Sequence, residues 1–246
     1  MNCTAVVGYT CPMNVVLFDL DDTLLDYSGR VDESWARAAH ACCADGRVDP
    51  HALITALGRS RRWLWEDPSR HRQERLDMPR AWQRIVAHAL ESLGTPSDEL
   101  AGAVAVHFAA HRRQVMQLFP EARITLERLR ERGIPLGLVT NGDATQQRYK
   151  IERHDLARYF DVMVIEGEFG AGKPDEAVYR HALDALGAEP GHTCMVGDNL
   201  DFDVQGARRV GIAGVWVDRA RTGLPPGSTA RPDHVIASLT DLFALR

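Results

Sequence analysis

The sequence lacks the features that would place the protein in a membrane, on a nucleic acid or among disulfide-bonded scaffolds. No stretch approaches the roughly 18 consecutive apolar residues that a membrane-spanning helix needs. Basic residues do not outnumber acidic ones, 29 against 34, so the net charge of -5 gives no attraction to nucleic acid or an anionic membrane. The cysteines are odd in number and show no metal-ligand spacing: Cys3, Cys11, Cys42, Cys43 and Cys194. We therefore expect a cytoplasmic protein with reduced thiols and a small-molecule partner.

Lysine is almost absent as well. Two of the 29 basic residues are lysines, Lys150 and Lys173, and the other 27 are arginines. Lys173 follows a strand pattern in the stretch Gly-Ala-Gly-Lys-Pro, where its compact positive charge suits a site that holds a carboxylate and a phosphate. The pattern around Lys150 is instead typical of an exposed helix residue.

The first 18 residues carry no charged side chain, which is a feature of secretory signals. Gly8, Pro12 and Asn14 interrupt this apolar stretch, however, and no basic segment precedes it. We expect residues 1 to 13 to be a leader or an extra strand segment, with Met13 as an alternative start.

Short apolar runs bounded by turn residues recur along the chain and are typical of buried parallel strands. Helical patterns separate the later runs, and one of them is closed by Gly187. This alternation predicts an α/β core with a doubly wound, mostly parallel, Rossmann-like sheet, formed by residues 1 to 26 and 120 to 246. The predicted strands are residues 15 to 18, 136 to 139, 162 to 165, 194 to 196, 214 to 217 and 234 to 236.

The segment between the first and second predicted strands contains no convincing strand, although it is more than 100 residues long. Its apolar residues recur at helical spacing in four places. One helix is expected to begin at Asp49 and Pro50, and another near Ser97, because these residues favour helix starts. We predict an inserted cap domain, residues 27 to 119, built as a four-helix bundle.

Asp19, Asp21 and Asp22 directly follow the first predicted strand. Three carboxylates in four positions repel one another unless a cation lies among them. Residues two apart point the same way in extended chain, so Asp19 and Asp21 can face one target at the edge where open α/β sheets bind ligands. Oxygen ligands of this kind suit Mg²⁺. The alternative is that Asp21 and Asp22 only cap the next turn.

The other strand ends bring further polar side chains to the same edge. Thr140 and Asn141 follow the second strand, and a hydroxyl, an amide and backbone N–H groups suit phosphoryl oxygens. Lys173 comes after the third strand, and Asp198 and Asp203 come after the fourth. Capping is the alternative role for Asp198, although capping does not require acids at both strand ends.

Together these stretches resemble the four motifs of the haloacid dehalogenase superfamily: Asp-x-Asp-x-Thr, then Thr or Ser, then Lys, then Gly-Asp followed by another Asp. The chain has them in order as Asp19-Leu-Asp21-Asp-Thr23, Thr140, Lys173 and Gly197-Asp198 with Asp203. The helical insertion is similar to that of members whose cap lies between the first two motifs. The stretches Thr140-Asn141-Gly142 and Gly170-Ala171-Gly172-Lys173-Pro174 look like those of N-acylneuraminate 9-phosphatases and nucleotidases.

The resemblance implies a magnesium-dependent phosphatase that hydrolyses a small phosphate monoester. Asp19 would be the nucleophile that forms an aspartyl-phosphate, and Asp21 the general acid and base. Mg²⁺ would be held by Asp19, by the backbone carbonyl of Asp21 and by Asp198, with Asp203 behind these ligands. The resemblance also implies that Thr140, Asn141 and Lys173 bind the phosphoryl group.

Single residues argue for or against the other activities known for this superfamily. Removal of a halide needs no proton donor, so Asp21 argues against a dehalogenase. Cleavage of phosphonates in this fold uses a cap lysine, and residues 27 to 119 contain none. A sugar-phosphate mutase similar to beta-phosphoglucomutase remains the main alternative, although Asp22 stands where that group usually has Gly. A non-catalytic binding protein would lack the nucleophile or the acid, and neither is missing.

The predicted cap contains an arginine-rich segment, residues 59 to 84, with eight arginines against four acids. Such a segment can attract a second anionic group of the substrate, or it can be an ordinary solvated helical face. We expect the substrate to be a small phosphorylated metabolite, bound by a monomer or a homodimer.

Overall fold

The computed structural model describes residues 14–44 and 46–245, so the expected leader, residues 1 to 13, lies outside the described residues. By its contacts the described chain divides into two compact units. The sheet unit consists of residues 14–25, 118–140 and 150–245, and the helical unit of residues 26–44, 46–117 and 141–149. The separate cap domain with bounds 27 and 119 remains a proposal.

The sheet unit is built on six strands: β1 (Val15–Phe18), β4 (Leu136–Thr140), β5 (Val162–Ile165), β6 (Thr193–Gly197), β7 (Ala213–Val217) and β8 (His234–Ile236). Their order in the sheet is β5-β4-β1-β6-β7-β8, and every neighbouring pair is parallel. The prediction of a doubly wound α/β fold is therefore confirmed. Two short strands, β2 (Leu25–Asp26) and β3 (Gln117–Leu118), form a second sheet.

The three central strands are buried along their whole length. A strand covered on both faces needs a continuous apolar run, and β1 and β4 are rich in Val and Leu for that reason. The strand β1 lies between β4 and β6, where the strand order reverses. In open parallel sheets the ligand crevice lies beyond the carboxyl ends of the strands at such a reversal. The topology therefore places the carboxyl end of β1 at the expected site.

Helices cover this sheet, and α9 (Glu176–Leu186) shows how the sequence specifies them. Its apolar face packs Val178 and Ala182 into the same core cluster as Leu17 of β1. It ends at Gly187, which adopts a left-handed conformation with φ of 59°, as predicted. Asp175 is its N-cap, and Pro174 lies directly before the helix. The helices after the insertion are α6 (Ala122–Glu131), α7 (Ala144–Arg153), α8 (Glu166–Phe169), α9 (Glu176–Leu186) and α10 (Gly206–Arg209).

The helical unit contains the four predicted helices and one that was missed. Side chains cap the two expected starts: Asp49 accepts the N–H groups of His51 and Ala52, and Ser97 accepts that of Leu100. The additional helix α3 begins with the same Asp-Pro signal, at Asp67 and Pro68, so it was predictable. The helices are α1 (Val31–Cys42), α2 (Pro50–Trp65), α3 (Pro68–Glu74), α4 (Met78–Ser92) and α5 (Asp98–Val115). Among the described residues, none of the helices has both the length and the apolar content to cross a bilayer.

Part of the positive charge of the arginine-rich segment is neutralised within the helical unit. Arg61 and Arg84 form ion pairs with Asp32 and Glu74. Arg70 pairs with Asp67 at an N to O distance of 3.6 Å. These three arginines support the alternative that the segment is an ordinary charged helical surface, since their charges already have partners.

Candidate active site

Asp19 directly follows β1 at the centre of the sheet. Its backbone N–H donates to the carbonyl of Val196 in β6, which continues the parallel pairing for one more residue. The side chain is buried, and its Oδ1 accepts a hydrogen bond of 2.6 Å from Nζ of Lys173. The position therefore combines a rigid backbone with a carboxylate that is oriented by a cation.

Lys173 holds two carboxylates at once. Its Nζ also lies 2.7 Å from Oδ1 of Asp203, and both side chains are almost inaccessible to solvent. The other oxygen of Asp203 accepts the backbone N–H of Asn199 at 3.0 Å. Burial alone would lower the pKa of Lys173, but the charges of Asp19 and Asp203 outweigh it and raise the pKa. Lys173 is therefore a permanently charged link between the two acids.

Asp198 is fixed by its backbone on both sides. Its N–H donates to Oγ1 of Thr23 at 3.1 Å, and its carbonyl accepts the indole N–H of Trp216 at 2.8 Å. Thr23 belongs to the loop after β1, so this hydrogen bond ties the ends of β1 and β6 together. The side chain of Asp198 is thereby held near Asp19.

Asp19, Asp198 and Asp203 each offer one carboxylate oxygen to a cluster in which these oxygens lie within 4.8 Å of one another. Asp19 and Asp203 are buried, and Asp198 is partly exposed. Burial first, and then the charge of Asp203, raise the pKa of Asp19 to about 7, although Lys173 acts in the opposite direction. Burial and the charge of Asp19 raise the pKa of Asp198 to about 8. One ammonium group thus does not balance three acids. A hard divalent cation with oxygen ligands fits this donor set, because it would offset the excess negative charge.

Asp21 contacts a different cation, and here one prediction was wrong. Nζ of Lys150 lies 2.9 Å from Oδ1 and 2.7 Å from Oδ2 of Asp21. Lys150 is only 5% exposed, so it is not the solvated helix residue that the sequence indicated. The scarcity of lysine was the signal that could have revealed it, since both lysines of the chain bind carboxylates of the loop after β1.

Asp22, Thr140 and Asn141 complete the set of predicted residues. Asp22 has a φ of 61°, a left-handed conformation that Asp tolerates better than most residues. Thr140 is the last residue of β4, next to β1 in the sheet, and it is buried. Asn141 follows it in the chain and is partly exposed.

Arg219 is a site residue that the sequence analysis did not identify. It donates a 2.7 Å hydrogen bond to the carbonyl of Thr23 and forms an ion pair with Glu121. Its guanidinium also lies 3.5 Å from the ring centre of Phe119. These contacts anchor the loop after β1, which carries Asp19, Asp21 and Asp22. One arginine among 27 gives no signal in a sequence, so only the fold distinguishes it.

Comparison with known proteins identifies the family. Residues 13–211 match the family described as haloacid dehalogenase-like hydrolase. A phosphoserine phosphatase of Thermus thermophilus is 37% identical over 94% of this chain and 98% of its own length. An N-acylneuraminate-9-phosphatase of Rattus norvegicus is 36% identical over 62% of this chain and 61% of its own. A crystal structure of a 2-haloacid dehalogenase from Pseudomonas syringae has 32% identity, a TM-score of 0.62, and coverage of 94% of this chain and 96% of its own.

The parallel sheet places the protein in the doubly wound α/β class, and acids and a lysine gather beyond the end of β1. The family match covers most of the chain and identifies the family itself. The chain belongs to the haloacid dehalogenase-like hydrolases, and the resemblance drawn from its four motifs is confirmed.

Proposed function

We propose that the protein is a magnesium-dependent phosphatase that hydrolyses a small phosphate monoester through an aspartyl-phosphate on Asp19. One observation carries this proposal. Asp19 lies buried at the end of the central strand, contacts Lys173 at 2.6 Å, and lies in a cluster with Asp198 and Asp203. A carboxylate held in that way can attack phosphorus, while Lys173 and a bound cation would attract the negative phosphoryl group.

The first half of the reaction would transfer the phosphoryl group to the enzyme. An oxygen of Asp19 attacks phosphorus, the bond from oxygen to phosphorus forms, and the ester bond to the alcohol breaks. Asp21 donates its proton to the departing oxygen, because an alkoxide is a poor leaving group. In the second half Asp21 takes a proton from water, the water oxygen attacks phosphorus, and the carboxylate of Asp19 is restored as phosphate leaves.

Mg²⁺ would supply charge neutralisation at the phosphoryl oxygens and at Asp19 when bound. The residues that would hold it are Asp19, Asp198 and the backbone carbonyl of Asp21. Asp203 is better suited to hold the neighbouring groups in place than to bind the ion, since its two oxygens already accept hydrogen bonds from Lys173 and Asn199. We assign Thr140 and Asn141, together with Lys173, to the phosphoryl oxygens. Thr140 ends the strand next to β1, and Asn141 directly follows it.

The substrate is proposed to be a small phosphorylated metabolite, and phosphoserine is the first ester to test. The similarity to the Thermus thermophilus enzyme extends over nearly the whole of both chains. The similarity to the N-acylneuraminate-9-phosphatase covers a smaller share, so its substrate is the second choice. Reduced thiols at Cys42, Cys43 and Cys194 support a cytoplasmic enzyme, which we propose acts as a monomer or homodimer.

The sugar-phosphate mutase shares the aspartyl-phosphate and differs only in the acceptor. The presence of Asp22 in place of Gly is weaker evidence for a phosphatase over a mutase than the residue type suggests. Its φ of 61° is a conformation that Gly adopts freely, so a Gly at this position in mutases has a backbone reason as well. The dehalogenase alternative needs no acid at position 21, where this chain has Asp.

Phosphate release decides between these activities. The protein is incubated with phosphoserine, N-acylneuraminate 9-phosphate and hexose phosphates, with Mg²⁺ and with a chelator, beside the Asp19→Asn variant. We expect Mg²⁺-dependent release from at least one ester and a loss of more than about 10³-fold in the variant. Interconversion of hexose phosphates without net release would identify a mutase instead. Undiminished turnover in the variant would refute the covalent mechanism.

A further inference from the structure

Lys150 forms the second lysine contact of the loop after β1. Its ammonium group contacts both oxygens of Asp21, at 2.9 and 2.7 Å, from helix α7. Its side chain is buried while the carboxylate of Asp21 is partly exposed. Two residues apart in the chain, Asp19 and Asp21 therefore each contact a different buried lysine.

Burying a lysine is unfavourable unless a partner compensates, because the ammonium group loses strong hydration. At most positions this chain carries its positive charge on arginine, 27 times out of 29. Arginine presents a broad planar fork, whereas lysine ends in a compact charge on a slender chain. A compact ammonium can contact both oxygens of Asp21 from one side without covering the whole carboxyl group. The residue type and the burial thus agree in pointing to Asp21 as the reason for Lys150.

We propose that Lys150 is a positioning residue that orients the carboxyl group of Asp21 for proton transfer to the leaving alcohol. This inference rests on the proposed phosphatase function. A proton donor must keep its oxygen within hydrogen-bond reach of the departing atom, and a carboxyl group that turns freely spends little time there. The contact from α7 restricts that rotation, and the carboxyl group of Asp21 remains partly exposed.

A purely structural ion pair would have a different signature. Its loss would destabilise the protein and reduce turnover of every phosphate ester by the same factor. Loss of a positioning residue for Asp21 affects only esters whose alcohol must be protonated. The p-nitrophenolate of p-nitrophenyl phosphate can leave without being protonated. The serine alkoxide of phosphoserine is a poor leaving group and must receive a proton.

The test compares kcat/KM for p-nitrophenyl phosphate and phosphoserine in the wild type and four variants: Lys150→Met, Asp21→Asn, their combination, and Arg153→Met. This constant covers the steps up to departure of the alcohol. We expect Lys150→Met to lower kcat/KM for phosphoserine by about 10²-fold and for p-nitrophenyl phosphate by less than about 5-fold. Asp21→Asn should show the same preference, and the combined variant should be no worse than Asp21→Asn alone. Arg153 is an exposed cation on the same helix, and its variant should behave like the wild type.

Thermal unfolding of each variant accompanies the kinetics. If Lys150→Met does not fold, Lys150→Gln replaces it, since an amide keeps one N–H donor for Asp21 and should show the same ester preference to a smaller degree. Equal losses on both esters, or losses of the two single variants that multiply in the combination, would overturn the role of Lys150. The proposed function itself fails in a separate way, when the wild type releases phosphate from neither ester or Asp21→Asn shows no ester preference.

Discussion

At the scale of single residues, burial is the first cause of the raised pKa values of the acids in the site. Asp19 and Asp198 have raised pKa values because burial removes much of the water around them and because each faces other acids. Lys173 counteracts this for Asp19 at a distance of 2.6 Å. The same balance between burial and neighbouring charge acts on residues away from the site, where it can be measured without interference from a cation.

His154 offers such a measurement. Burial, and then the charges of Arg153 and Arg123, hold the pKa of this imidazole below its usual value near 6.5. The unfolded chain therefore binds a proton more readily than the native protein does. We expect the free energy of unfolding to fall as the pH drops through about 6.5, because protonation then favours the unfolded state.

The variant His154→Gln should flatten this dependence between pH 7.5 and 5, as measured by urea unfolding. His192→Gln, which removes an exposed histidine, is the matched control. If His154→Gln retains the full slope of the wild type, the assignment to this residue is wrong.

At the scale of elements, the turn after β6 carries much of the site. Asn199 caps a π-helical turn, Leu200–Gln205, by accepting the N–H groups of Asp201 and Phe202. This turn directs Asp203 back towards the end of β6, where it meets Lys173. Gly197, the last residue of β6, makes the approach possible, since a Cβ at that position would collide with the carboxyl group of Asp203.

Gly197→Ala should therefore displace Asp203 and weaken its contacts with Lys173 and Asn199. We expect a loss of about 1–3 kcal/mol in the free energy of unfolding, the usual cost of overpacking a buried position. Phosphate release should fall at the same time. Gly191→Ala is the control, because a Cβ there has no atom within 4 Å. Equal stability of the two variants would show that the close approach of Asp203 is unimportant.

At the scale of the whole molecule, the parallel sheet brings together residues that are far apart in sequence. Lys173 lies 154 positions from Asp19 and 30 from Asp203, yet it contacts both. Each lies near the carboxyl end of a parallel strand, and those ends share one edge. Three acids so assembled repel one another, and the native fold must withstand that repulsion when no cation is bound.

Mg²⁺ should consequently stabilise the native protein. A ligand that binds only the folded state adds about 2.7 kcal/mol at a concentration 100 times its Kd. We expect the Tm to rise with Mg²⁺ concentration and to return after chelation, as followed by differential scanning calorimetry. In Asp198→Asn the rise should be much smaller, because one carboxylate ligand is lost. An equal rise in that variant would place the cation elsewhere.

Local signals predicted much of the fold. The apolar runs indicated the strands, and Asp49 with Pro50 indicated the start of α2, because both depend on neighbouring residues alone. The helix α3 was missed although Asp67 and Pro68 carry the same signal. The two-unit division assigns residues 141–149 to the helical unit, which no local pattern indicated.

The sequence by itself determined the family and the candidate nucleophile. A few residue types, each placed after a predicted strand and in a fixed order along the chain, carry that chemistry. Only the tertiary structure decided which charges meet. Lys150 lies 129 positions from Asp21, and Arg219 lies 196 positions from Thr23. Ion pairs and hydrogen bonds depend on distances of a few ångströms and on the exclusion of water, and both arise only when remote segments pack together.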